Sequence, residues 1–156
     1  MCPALASTAP SADPTRPVAP PQRLSPVPNV DLGPLDQAAA RLRQSAKAYE
    51  AAYEARAAAG LTIPAGTLRE ANSLMATLEQ HLLDEAGLPD RPWYKNVMQA
   101  PGKLTGYAPK TVPGVREALD ARNWSQAEQY AATTAKVLDG YRTQLDRLTA
   151  LFAAAK

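Results

Sequence analysis

Cysteine and histidine are almost absent from the chain, which has one of each among 156 residues. Cys2 has no second cysteine with which to form an internal disulfide. Hydrolytic metal sites need three or more converging His, Cys, Asp or Glu ligands, and His81 is a lone imidazole beside the apolar pair Leu82 and Leu83. No serine or cysteine has a histidine placed to activate it, and no glycine-rich stretch matches a phosphate loop. We therefore predict neither a catalytic residue nor a metal site in this chain.

Long apolar runs and clusters of one charge are also missing. No segment approaches the roughly 18 to 20 apolar residues of a membrane-spanning helix. The net charge of +2 comes from 17 basic and 15 acidic side chains spread along the sequence, so neither a membrane nor a nucleic acid is an expected partner. The N-terminus lacks the basic and apolar regions of a secretory signal. The localisation is left unassigned.

Proline is abundant, and it is concentrated at one end. Nine of the fifteen prolines lie in the first 34 residues: Pro3, Pro10, Pro14, Pro17, Pro20, Pro21, Pro26, Pro28 and Pro34. Proline removes amide donors and fixes φ, so residues 1–30 are predicted to be a disordered or polyproline-like segment preceding a domain at 31–156. A linker or an artefact of gene annotation is favoured over a recognition tail for a proline-binding module.

Four helices are predicted after this segment. Asp31 and Pro34 mark the start of the first helix, over about 35–59, and Gly60 marks its end. Thr67 and Glu70 form a candidate capping box for a second helix that extends to about Ala86. The expected buried faces are Leu35, Ala38, Ala39, Leu42, Ala46, Tyr49, Ala52 and Tyr53 in the first helix, and Leu68, Ala71, Leu74, Met75, Leu78, Leu82 and Leu83 in the second.

Residues 87–113 contain too many prolines and glycines for a long helix. We expect an ordered loop held by apolar anchors at Trp93, Tyr94, Val97, Met98, Leu104 and Tyr107. A short helix follows Pro113 and Gly114. A second candidate capping box, from Ser125 to Glu128, opens a long last helix to about residue 154, whose expected buried face is Ala127, Tyr130, Ala131, Thr134, Val137, Leu138, Tyr141, Leu145, Leu148 and Phe152. The predicted fold is an all-α antiparallel bundle of about four helices, with no strand and no internal repeat.

The most specific part of the sequence lies between Gly87 and Leu119. It resembles the motif of the transferrin receptor-like dimerisation domain, the C-terminal helical domain of the transferrin receptor, of glutamate carboxypeptidase II (folate hydrolase) and of related bacterial zinc peptidases. The residues that carry the resemblance are Leu88, Pro89, Asp90, Arg91, Pro92, Trp93, Tyr94, Ala100, Pro101, Pro113 and Gly114. The flanking helices extend it over about residues 32–156.

The resemblance implies a bundle that makes homodimer contacts and walls one side of a substrate cleft. In the glutamate-cleaving relatives, a Lys-Tyr pair in this loop holds the carboxylate of a C-terminal glutamate. The tyrosine corresponds to Tyr107, but the lysine position holds Gly106. Glutamate specificity is therefore not expected unless the loop brings Lys103 or Lys110 to that place. Tyr107 is interpreted either as a substrate contact or as an aromatic anchor of its own loop.

The resemblance also implies that the zinc ions belong to a protease domain that would lie before residue 1, so no cofactor is expected here. Our leading hypothesis is a non-catalytic homodimerisation domain without its protease domain, produced from a truncated or frameshifted gene. Its expected partners are a second copy or a peptidase domain. The alternative is a free-standing helical adaptor that binds another protein.

Overall fold

Two long helices form the frame of the domain. A computed structural model describes residues 23–60, 62–104 and 106–154. Its longest helices are α1 (Gly33–Ala58) and α4 (Trp124–Ala154). Residues 23–32 have no regular secondary structure, and the rest of the predicted proline-rich segment, 1–22, lies outside the described residues. The four helices in the described part confirm the all-α bundle.

The direction of the helices differs in part from the prediction. α1 and α4 run parallel rather than antiparallel: the backbone of Asp31 contacts Glu128 near the start of both helices, and the guanidinium of Arg56 donates to the carbonyl oxygen of Phe152 near their ends. The reason is that the intervening chain returns to the N-terminal end of α1 before α4 begins.

The first helix begins and ends where the sequence predicts. Pro34 lies in its first turn, the Asp31 carboxylate accepts the N–H of Gly33 at 2.9 Å, and Gly60 follows the helix with a φ of +61°. Its buried face is shifted, however, because Ala46 is exposed while Ser45 and Arg56 are buried. Arg56 is accommodated there because its guanidinium donates to the carbonyl oxygens of Phe152 and Thr62.

The second helix is shorter than predicted. α2 spans Ala65–Thr77 and is followed by a 3-10 helix, Leu78–Leu82, rather than continuing to Ala86. The Thr67–Glu70 capping box is not formed, since the helix begins two residues earlier, after Pro64, without a side-chain cap. The helical path ends because two backbone groups bond to the loop instead of within a helix. The carbonyl oxygen of Leu82 accepts the N–H of Val97, and the N–H of Asp84 donates to the carbonyl oxygen of Lys95.

The fourth helix is capped by a residue other than the predicted one. α3 spans Pro113–Asp120, and α4 begins four residues later. Asn123 Oδ1 accepts from the N–H of Gln126 and from the hydroxyl of Ser125, so Asn123 rather than Ser125 caps α4. Glu128 accepts the N–H of Asp31 at 3.0 Å instead of completing the capping box.

A short two-stranded sheet was not predicted. β1 (Gln99–Pro101) and β2 (Pro109–Thr111) pair antiparallel, with Gln99 opposite Thr111 and Pro101 opposite Pro109. Because prolines cannot donate to a ladder, these residues do not form a recognisable strand pattern. We call residues 99–111 the hairpin.

In the described part of the chain, α4 contributes to two clusters of buried apolar residues. One joins Ala38 to Ala135 and Leu138; the other joins Ala71 to Leu148 and Phe152. Most of the face predicted for α4 is buried, at Ala127, Ala131, Thr134, Leu138, Leu145, Leu148 and Phe152. Over the residues that the structure describes, no helix has the length and apolarity needed to cross a membrane.

Candidate interaction surface in the proline-rich loop

The first half of the loop is a tight backbone fold around Leu88. The N–H of Leu88 donates to the carbonyl oxygen of Tyr94, and the carbonyl oxygen of Leu88 accepts the N–H of Arg91. The carbonyl oxygen of Arg91 accepts the N–H of Tyr94. Gly87 permits this path: its φ is +71°, and a Cβ there would lie 2.3 Å from the carbonyl oxygen of Pro92. The chain between Leu88 and Tyr94 is therefore held by its own backbone.

Arg91 links this segment of the loop to α3 and to the hairpin. Its side chain is 8% exposed and pairs with Glu117 of α3, from Nη2 to Oε2 at 2.5 Å. Arg91 Nη1 also donates to the carbonyl oxygen of Pro101 in the hairpin, and its guanidinium lies 5.6 Å from the ring centroid of Tyr94. The other Glu117 oxygen accepts the N–H of Lys103 at 2.8 Å. One buried ion pair thus joins the loop, the hairpin and α3.

Tyr130 of α4 forms a hydrogen bond to the start of the loop. Its hydroxyl donates to the carbonyl oxygen of Gly87 at 3.1 Å. Burial raises the pKa of Tyr130 above its ordinary value, and the charges of Asp84 and Asp90 act in the same direction. The phenol therefore stays protonated and keeps its role as a donor to the loop.

The hairpin projects from this base with two apolar side chains in water. Leu104 is 95% exposed and Tyr107 is 98% exposed. Gly106, between them in the turn, has a φ of +66° and donates to Gly102. Leu104 and Tyr107 are therefore both available for contact with another molecule.

A cleft lies on each side of the hairpin. The one that contains Tyr107 has a volume of about 380 Å³ and includes Asn96 and Gln99; we call it the Tyr107 cleft. The other has a volume of about 320 Å³ and runs along α3, where Leu104 and Ala121 form part of its wall; we call it the α3 groove.

The structure separates the two lysines from Tyr107. Lys103 and Lys110 both line the α3 groove, where Lys103 pairs with Asp90 and Lys110 pairs with Asp120 at 2.5 Å. The hydrogen bond and charge of Lys103 hold the pKa of Asp90 below its usual value. Neither lysine lines the Tyr107 cleft.

The predicted anchors of the loop are correct only in part. Val97 is buried and Met98 packs against the core, but Trp93, Leu104 and Tyr107 are exposed. The interpretation of Tyr107 as an anchor of its own loop is therefore wrong. The structure places Tyr94 against Arg91, and Pro113 and Gly114 are buried at the start of α3. The Arg91–Glu117 pair, which does hold the loop, was missed because the two residues lie 26 positions apart.

No metal centre is found in the part of the chain that the structure describes. Within residues 23–60, 62–104 and 106–154, no group of three or more His, Cys, Asp or Glu side chains is placed to hold an ion.

Comparison with known proteins gives the same assignment as the motif. The family model of the transferrin receptor-like dimerisation domain matches residues 30–146. A probable glutamate carboxypeptidase of Arthroderma benhamiae is 44% identical over 59 residues, which are 38% of this chain and 8% of that protein. The probable glutamate carboxypeptidase LAMP1 of Arabidopsis thaliana is 42% identical over 53 residues, which are 34% of this chain and 8% of that protein. The matched segment is thus a small part of each relative.

Proposed function

Because this chain belongs to the transferrin receptor-like dimerisation domain family, we propose that it is a non-catalytic module that pairs with a second copy of itself and walls the substrate cleft of a peptidase domain. The family match supports the pairing, and the hairpin is the observation that carries the cleft-wall role. It is fixed at its base by Arg91 and Glu117, yet it exposes Leu104 and Tyr107 almost completely. Leaving two large apolar side chains in water is unfavourable, and burying them against a partner removes that cost.

The catalytic part of the proposed assembly lies in a peptidase domain. The relatives are named as probable glutamate carboxypeptidases, and the match covers 8% of their length. We assign zinc binding and hydrolysis to such a domain, encoded with this chain or supplied by another one. The contribution of this chain is then the position and shape of one cleft wall.

Tyr107 is the proposed substrate contact. Among the described residues, its cleft is lined by the polar side chains of Asn96, Gln99 and Tyr107 and by no cation. Amide and phenol groups bind backbone amides and uncharged polar groups, whereas a free carboxylate is bound most strongly by a cation. The cleft wall therefore favours a peptide without a selected C-terminal glutamate.

Self-association is tested by sedimentation equilibrium of the full chain over a range of concentrations up to high micromolar. We expect the mass of a dimer. The Leu104→Ser variant is expected to remain dimeric, because the proposal reserves the hairpin for the peptidase domain. A chain that stays monomeric at every concentration would contradict the dimerisation role.

The peptidase connection is tested by sequencing the transcript upstream of Met1 and translating its three forward frames. A domain with paired zinc-ligand His, Asp and Glu residues in any frame supports the proposal. Without such a frame, the connection depends on a separate peptidase chain.

A helical adaptor that binds another protein is the second candidate. The observation in its favour is Trp93, which is 71% exposed and lies beside Tyr94 with a ring-centroid separation of 6.4 Å. Aromatic side chains of this kind are enriched at protein interfaces. Monomeric sedimentation together with the absence of a peptidase frame would favour this candidate.

A further inference from the structure

The described end of the proline-rich segment is already attached to the bundle. The guanidinium of Arg122, in the turn between α3 and α4, donates to the carbonyl oxygen of Ser25. Arg122 is positioned for this contact by a φ of +58° and by Trp124, whose ring centroid lies 5.0 Å from its guanidinium carbon. Farther along, the N–H of Asp31 donates to Glu128. Residues 25–31 therefore cross the N-terminal end of α4.

This attachment brings the preceding residues to the α3 groove. Ala121, which lines the groove, is the residue immediately before Arg122, and Gln126 of the first turn of α4 lines the same groove. Residues 1–22 can span up to roughly 70 Å, far more than the groove requires. A segment tethered at the mouth of a cleft has an effective concentration there on the order of millimolar.

The chemistry of the segment matches that of the groove. Residues 1–22 consist mostly of Pro, Ala, Ser and Thr, with Asp13 and Arg16 as the charged side chains. Prolines remove backbone donors but leave every carbonyl oxygen as an acceptor. The groove offers donors at Lys103, Lys110 and Gln126, beside the apolar Leu104 and the small Ala121. Glu117 and Asp120 also line it; they pair with Arg91 and Lys110.

We propose that residues 1–22 of this chain bind in the α3 groove, as an intramolecular ligand tethered through Ser25 and Arg122. The segment then covers Leu104 on one face of the hairpin and leaves the Tyr107 cleft on the other face open. The segment competes with a peptidase domain for Leu104 and leaves Tyr107 to that domain. Its contacts lie within one chain, so they can be measured without the domain and without a dimer.

Paramagnetic relaxation on the full chain tests it. The double variant Cys2→Ser, Ser11→Cys carries one nitroxide label in the middle of the segment. We expect loss of amide signal intensity at Leu104, Ala121 and Gln126 and retained intensity at Arg147, which lies roughly 30 Å farther along α4 than Gln126. Unchanged intensities at the three groove residues would overturn the proposal.

Two variants and a mixing experiment complete the test. Ala121→Arg fills the groove from an exposed position, and Leu104→Asp removes its apolar wall without disturbing a packed side chain. Each should restore the groove intensities, whereas Ala132→Arg, at an exposed position of α4 outside the groove, should not. Intensity loss that persists in both groove variants would overturn the proposal. So would loss in an equal mixture of labelled ¹⁴N chain and unlabelled ¹⁵N chain, because that result assigns the segment to a second copy.

Discussion

Tyr130 occupies the space that a side chain on Gly114 would need. A Cβ on Gly114 would lie 2.3 Å from Tyr130 Cδ1 and 2.7 Å from Cγ, and the same tyrosine holds Gly87 through its hydroxyl. Gly114→Ala must therefore push the ring away from its place beneath the loop. We expect a loss of about 1–3 kcal/mol in the free energy of unfolding, measured by urea denaturation.

Gly140→Ala is the matched control for this substitution. Gly140 lies inside α4, and a Cβ there meets nothing within 4 Å. Because alanine is the better helix former, this variant should gain roughly 0.5–1 kcal/mol. Changes of the same sign and size in the free energy of unfolding of Gly114→Ala and Gly140→Ala would show that Tyr130 does not restrict Gly114.

The Arg91–Glu117 pair should contribute more to stability than any exposed ion pair of the loop. Glu117→Gln leaves a guanidinium that is 8% exposed without its counter-charge. We expect a loss of about 3–5 kcal/mol in the free energy of unfolding. Asp120→Asn, which breaks the more exposed pair with Lys110, should cost only about 0–1 kcal/mol. Similar losses in the two variants would contradict the role given to Arg91.

Acid should destabilise the fold through Asp139. The hydrogen bond and charge of Arg41 are the main reason that the pKa of Asp139 lies below its ordinary value, and Arg142 adds to the effect. A carboxyl group with a lowered folded-state pKa stabilises the protein above its unfolded pKa of about 3.9, and this stabilisation is lost as the pH falls through the folded-state value. The free energy of unfolding should therefore decline more steeply below about pH 4 in the wild type than in Asp139→Asn. Arg41→Gln should also make the decline of the free energy of unfolding less steep than in the wild type. Parallel pH profiles for all three proteins would contradict this explanation.

The contact between α1 and α4 leaves no room for a larger side chain at Ala38. This residue is fully buried against Ala135 and Leu138. Ala38→Leu should lower the free energy of unfolding by about 1–3 kcal/mol through overpacking. Ala40→Leu places the same side chain at an exposed position of α1 and should change stability by less than about 0.5 kcal/mol. Thermal or urea denaturation of the pair measures the difference.

Local signals in the sequence predicted the limits of α1, but long-range contacts decide where the helical path that continues α2 ends. Pro34 and Gly60 act through their own backbone geometry, so the limits of α1 could be predicted. Leu78, Leu82 and Leu83 continue the helical spacing of α2, and no nearby residue indicates a stop. The helical path stops after the 3-10 helix, where the distant Val97 donates to Leu82, and that pairing has no local sequence pattern.

The same distinction applies to the direction of the helices and to the site. Apolar spacing shows which face of a helix is buried, but not which way the helix runs, so the parallel pairing of α1 and α4 could not be predicted. The motif identified Leu88 to Tyr94 as the specific segment of the chain. It did not identify Glu117 as the partner of Arg91, because an ion pair between distant residues depends on the fold.

The parallel pairing of α1 with α4 also bears on how the protein folds during synthesis. Arg41 and its partner Asp139 are 98 positions apart, and the core around Ala38 likewise draws on α4. The ribosome therefore completes α1 long before the helix against which it packs has been made. Until then its apolar side is open to chaperones and to other nascent chains, and folding is completed only when the last part of the chain has emerged.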